Sequence, residues 1–210
     1  KNASHETILN WCRKYVLKIT KYTETLQPQL SGQFYADETE IPRGCGFDKK
    51  GGDAFWCCVD FGTRFIPATH YTLSMTIDDA TTFMKSIKKH NPHFLQTDSG
   101  MFYPPAVQKV FYSQRDYGLS IDYKIQNVRK TGKHNVRIES VFMKVKDRVD
   151  DFRGLKALWS APILMQGIII QHNFIEAHTT TGQVPSELAG LKIELGVNRW
   201  LGLIKIASLK

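Results

Sequence analysis

The chain has 210 residues, 42% of them hydrophobic, enough for one main domain with a substantial core and at most a small appendage. Its net charge of +8 and pI near 9.3 suit a polyanionic partner. Two classes are disfavoured: the most apolar run, residues 161–170, is too short for a membrane span, and Cys12, Cys45, Cys57 and Cys58 lack the paired C-x-x-C spacing of a zinc site. With no secretory leader or disulfide framework, the expected compartment is the reducing cytoplasm, with Cys57 or Cys58 as a small core residue.

At the amino end, Ser4 is placed to cap a helix in which Ile8, Trp11, Cys12, Tyr15, Val16, Ile19 and Tyr22 recur every three to four positions, until Gln27 and Pro28 stop it. From Gln33 the period changes to two. Residues 33–41, 54–59 and 63–71 read as an antiparallel meander of three strands, with a Gly/Lys-rich turn through Gly51 and Gly52 and a second turn at 60–62. Thr76 and Asp79 have the spacing of a capping box, and Ile77, Ala80, Phe83, Met84 and Ile87 line one face of the helix they open, which ends near Asn91 and Pro92. A short strand, 94–97, follows. Pro104 and Pro105 open a short helix to about Tyr112, residues 120–125 form another strand, and 128–134 form a polar, basic loop. The remainder is helical, with one helix over 135–152 and a second, capped by Ser160, over 161–175. This order is α/β, a mixed sheet of three antiparallel strands followed by parallel ones, flanked by helices.

Three acids stand in distinct settings: Asp37 in FYADETEI, Asp98 in FLQTDSGMFY and Glu139 in NVRIESVFMKVKDR. They are so far apart in the chain that only a folded sheet-and-helix scaffold brings them to one point. Magnesium takes hard oxygen ligands and keeps several waters, so a phosphoryl-transfer site needs a few convergent carboxylates and leaves the other positions to substrate. Two such ions activate the attacking oxygen and stabilise the leaving one. Each acid also has a plainer reading. Asp98 before Ser-Gly suits a turn, and Glu139 suits a solvated helix face. Asp37 is harder to explain away, because Asp is depleted in strands. Asp60, in VDFGTRF, is the rival for the first acid and reads as a turn residue. Glu38 faces the opposite side of the strand from Asp37 and reads as structural or solvent-facing.

Between Lys124 and Lys156 ten Lys or Arg face four acids, which puts +6 of the net +8 beside the third acid. This window reads as a phosphate-tracking surface, with Lys130, Lys133, Lys144, Lys146, Arg148 and Arg153 as candidate contacts. On the helix, Phe142, Met143 and Lys146 share the face of Glu139 by i+3, i+4 and i+7 spacing. Lys146 is thereby expected to reach a phosphate while Phe142 and Met143 pack inward.

The succession of strand-ADET, VDFGTRF, TDSGMFY, N-x-x-x-E opening a helix, RGL, HNFIEAH and VPSELAGL resembles prokaryotic insertion-sequence transposases of the DDE class, over residues 31–203. The resemblance implies a ribonuclease-H-like, integrase-like core. It implies Asp37, Asp98 and Glu139 as catalytic and metal-binding residues holding two Mg²⁺ or Mn²⁺ ions. The implied reaction is DNA strand cleavage and strand transfer on transposon ends and target DNA, by a homo-oligomer on the nucleoid with no membrane partner. Residues 1–28 would then be the last helix of an amino-terminal helix-turn-helix domain, and 29–210 the catalytic core with its carboxyl-terminal helices. Ser140 to Met143 are less polar than the family pattern. Two rival readings are a catalytically silent DNA-binding remnant and a purely hydrolytic ribonuclease-H-like nuclease.

Overall fold

Alternating side chains from Gln33 onward build the centre of a sheet. The structure, a computed structural model, describes residues 2–42, 52–127, 132, 135–151, 155 and 157–209. It divides into two compact units, one of residues 30–154 and one that joins 1–29 to 155–210.

In the first unit, β1 (Gln33–Ile41), β2 (Asp53–Asp60) and β3 (Ala68–Thr72) form the expected antiparallel meander. β3 starts later than the sequence suggests, because residues 61–63 form a turn and 64–67 a link outside the sheet. Helix α2 (Ile77–Lys88) follows, then β4 (Phe94–Thr97), α3 (Tyr103–Phe111), a small hairpin of β5 (Tyr112–Ser113) and β6 (Gly118–Leu119), β7 (Asp122–Ile125) and α4 (Val136–Asp151). β4 lies parallel to β1, and β7 parallel to β4, so the described sheet has the order β3-β2-β1-β4-β7.

All eight residues of β2 are buried, the mark of a central strand covered on both faces. On one face Phe34, Ala36, Trp56, Cys58 and Leu95 pack against Phe83, Met84 and Ile87 of α2 and Ala106 and Val107 of α3. On the other face lies α4, whose buried Ile138, Val141, Phe142, Val145 and Val149 recur at helical spacing against β1 and β2. Cys57 and Cys58 are both buried, one toward each face.

The second unit contains α1 (His5–Thr23), α5 (Ala161–Ile170), which runs on as a π-helical turn over Gln171–Ile175, α6 (Pro185–Leu188) and α7 (Arg199–Leu209). Ser4 caps α1 as its position suggests, its side chain accepting from the Thr7 amide at 3.2 Å. α1 packs against α5 and α7. Ser160 departs from expectation: its side chain makes no cap bond to α5 and instead accepts from Arg13 Nε at 2.8 Å, while the same guanidinium lies 4.5 Å from the Trp159 ring. Among the described residues no helix is long and apolar enough to cross a membrane.

Candidate active site

The sheet register sets the first part of the site. Tyr35 of β1 is level with Gln96 of the parallel β4, so continuing two residues puts Asp37 level with Asp98, one strand spacing away. β4 ends at Thr97 while β1 runs on to Ile41, so past Tyr35 β1 has no parallel neighbour in the described sheet. Ligands of open α/β sheets bind at this kind of place, outside the carboxyl ends of strands.

Glu38 joins them. Carboxylate oxygens of Asp37, Glu38 and Asp98 all lie within 4.8 Å of one another, and all three residues are half-buried. By strand alternation Asp37 belongs to the α4 face and Glu38 to the α2/α3 face. Glu38, expected on the opposite side of the strand as a structural or solvent-facing residue, is half-buried and hydrogen-bonded to Tyr103. Its longer side chain brings its carboxylate to the same point as Asp37. The one available signal was the acid pair Asp37-Glu38 itself, at a strand position where acids are rare.

Each acid is held locally. The Asp98 carboxylate accepts from the Gly100 amide at 2.9 Å, an Asx turn, which is the turn reading of this residue. A Cβ on Gly100 would come within 2.9 Å of the Phe102 ring and 3.1 Å of the Asp98 carboxylate, so the turn needs glycine. Glu38 accepts from the hydroxyl of Tyr103 at 2.5 Å. Tyr103 is fully buried, edge-on to Trp56 and Phe102 at ring separations of 5.8 and 4.8 Å. Asp37 accepts from the Glu38 amide at 3.0 Å.

The electrostatics follow from crowding three carboxylates in a half-buried place. Burial first, then the charges of Glu38, Asp98 and Glu139, push Asp37 up to about 8 despite its backbone hydrogen bond. Burial likewise pushes Glu38 up to about 7, with the Tyr103 bond opposing and Asp98 adding. Cations relieve such repulsion. The donor set is all hard oxygen, which fits a magnesium-type ion and not a soft metal.

Glu139 sits in the first turn of α4, half-buried, outside the 4.8 Å grouping but near enough for its charge to act on Asp37. Asp60, the rival first acid, is fully buried and satisfied as a turn residue. One oxygen accepts from the amide and hydroxyl of Ser31 at 3.0 and 2.6 Å, the other from those of Thr63 at 2.9 and 2.8 Å. Of the expected phosphate contacts, Lys144 is half-buried, Lys146 is exposed, and Arg148 is exposed and within 3.5 Å of Asp151. Lys130, Lys133 and Arg153 lie outside the described residues. Phe142 packs inward as expected, but Met143 is 68% exposed, so the stripe from Glu139 through Met143 to Lys146 faces outward.

Sheet order and crossing helices match the ribonuclease-H-like fold of the integrase catalytic cores. Among solved structures, the HTLV-2 integrase catalytic core domain in complex with magnesium, in its trimeric form, superposes with a TM-score of 0.53 at 13% identity, over 78% of this chain and 99% of that one. Its dimeric form gives 0.52 at 14% identity over 78% and 98%. The simian T-cell lymphotropic virus intasome in complex with PP2A regulatory subunit B56 gamma gives 0.55 at 14% identity, over 78% of this chain and 56% of that one. These neighbours are retroviral, and at such identity the likeness is one of fold. No protein-family model and no curated protein sequence matches the chain.

Proposed function

We propose that this chain is the catalytic core of a DDE-class polynucleotidyl transferase, and more narrowly of an insertion-sequence DNA transposase. The observation that carries the reading is the meeting of Asp37 and Asp98 on adjacent parallel strands, with Glu139 on the helix crossing the same face. The integrase-core fold supports it.

In this reading Asp37, Asp98 and Glu139 hold two divalent cations. Bound there, Mg²⁺ or Mn²⁺ supplies charge neutralisation and Lewis acidity to the attacking and leaving oxygens of a phosphodiester. The chain's own part is to fix the ligands: the Gly100 turn aims Asp98, the strand register aims Asp37, and the buried face of α4 against β1 and β2 fixes Glu139. The rigid sheet holds like charges at a separation they would otherwise avoid, so the site is preorganised for cations. Water would attack the phosphodiester at the transposon end and displace its 3′ oxygen; that freed 3′ hydroxyl would then attack a target-DNA phosphorus in line and displace the target's 3′ oxygen. Residues 1–28 as the end of a helix-turn-helix domain, assembly of copies on paired DNA ends, and a nucleoid location belong to the same proposal.

The test is strand cleavage and joining of DNA ends by the purified chain with Mg²⁺ or Mn²⁺. Asp37→Asn, Asp98→Asn and Glu139→Gln should each remove both products. Unchanged activity in any of them overturns that residue's assignment, and cleavage without joined product would favour the hydrolytic nuclease.

A further inference from the structure

A row of cations interleaved with aromatic rings crosses the sheet face that bears Asp37. The Arg137 guanidinium lies 4.2 Å from the Phe61 ring and 5.2 Å from the Tyr35 ring. Arg64 lies 5.4 Å from the same Phe61 ring, and Lys124 Nζ lies 5.2 Å from the ring of Phe94. The rings touch in turn, Tyr35 with Phe61 at 5.9 Å and Tyr35 with Phe94 at 6.0 Å. Strand alternation puts Tyr35 on the side of Asp37, and the pairings Gln33↔Phe94 and Gln96↔Lys124 carry that side across β4 to β7. Asp37 lies two residues beyond Tyr35 on β1, about 7 Å along the strand.

Three features make this more than ring packing. The rings are only half-buried and the Lys124 side chain is 62% exposed, so the row faces solvent. Asp60, whose charge acts on Arg64, has its carboxylate oxygens hydrogen-bonded by Ser31 and Thr63. Nε of Arg137 is buried with no hydrogen-bond partner among the described residues, and two guanidiniums share one ring. Burial, then the charge of Arg137, lowers the pKa of Arg64, with Asp60 opposing. Planar guanidiniums fixed on rings are suited to bidentate contact with phosphate oxygens.

Resting on the reading of the acid site as a polynucleotidyl transferase, we infer that Arg64, Arg137 and Lys124, held on Phe61, Tyr35 and Phe94, form the track on which the phosphates of a DNA strand lie beside that site. The arginine pair takes one phosphate and Lys124 another.

The test is anisotropy of a fluorescent single-stranded 12-mer with the full chain in EDTA across a salt series, which reads binding without cleavage. Each phosphate released should lower the log–log salt slope by about 0.7. The double variant Arg64→Gln/Arg137→Gln should lose about that much, Lys124→Gln should lose a similar amount, and Arg137→Lys should keep its slope. Lys109→Gln, a charge change on α3 at the opposite face, should leave the slope unchanged. Melting curves separate misfolding from lost contact, and if Arg137→Gln unfolds, Arg64→Gln and Lys124→Gln still decide. Unchanged slopes, an equal loss in Lys109→Gln, or no binding by the parent chain overturn the track. If cleavage still depends on Asp37 in that case, the acid-site reading survives alone.

Discussion

At the scale of single residues, Glu38 is the informative one, because it adds a fourth charge to a site that three acids define. Tyr103 donates to it from a fully buried position, and removing one partner of such a bond leaves the other undersatisfied. Tyr103→Phe should therefore cost about 1–2 kcal/mol in denaturant unfolding. Glu38→Gln should act in the opposite direction in EDTA at pH 8, raising the melting temperature by relieving repulsion with Asp37 and Asp98, and it should weaken Mn²⁺ binding in calorimetry. A Glu38→Gln chain that melts lower in EDTA would contradict this. The pH dependence follows from the same crowding. Asp37 rises from 3.8 to about 8 and Glu38 from 4.5 to about 7, so between roughly pH 4 and 8 the folded chain holds protons that the unfolded chain has lost. Metal-free stability is then fullest below pH 4 and declines as pH rises through 7 and 8. Cations compete with those protons, so the gain in melting temperature on adding Mg²⁺ should be larger at pH 8.5 than at pH 6. An equal gain at both would mean that these carboxylates do not bind the ion.

At the scale of elements, the caps and periods written into the chain decide most boundaries. Thr76 and Asp79 make both reciprocal bonds of a capping box at the start of α2, with Thr76 Oγ1 also donating to Asp79 at 2.6 Å. Thr76→Ala should cost about 1 kcal/mol, measurable as a shift in unfolding midpoint with unchanged slope. The strand at 94–97, the helix after Thr76 and the prolines opening α3 were legible for the same reason: each is specified by near neighbours. The short hairpin of β5 and β6 carries only two residues per strand, too few to show a period. Ser160 was expected to cap α5, but the distant Arg13 claims its hydroxyl, a contact no local pattern encodes. The site divides the same way. Asp37 was legible because an acid in a strand is anomalous, and Asp60 as a turn residue because of its Gly-Thr sequel. The role of Glu38 was not, because it depends on where β4 stops relative to β1.

At the scale of the whole molecule, the chain makes one compact unit from a continuous stretch and another from its two ends. Residues 30–154 contain the described five-stranded sheet, helices α2, α3 and α4, and Asp37, Glu38, Asp98 and Glu139. The other unit has no such continuity. α1 supplies the surface against which α5 and α7 pack, and Val16 approaches Gly167 so closely that a Cβ there would come within 3.1 Å of it. Val16 and Ile19 are buried in that unit, so removing residues 1–29 takes apolar cover from its remaining helices. These facts predict an asymmetric outcome for two fragments. Residues 30–154 alone should unfold cooperatively and bind Mn²⁺ by calorimetry with an affinity near that of the full chain. Residues 30–210 should retain that same transition while the helices of 155–210 give low protection in hydrogen exchange, and adding back a peptide of residues 1–29 should restore it. A fragment of 30–154 that is unfolded, or folded without taking up Mn²⁺, would show that the acid cluster needs the second unit for its geometry.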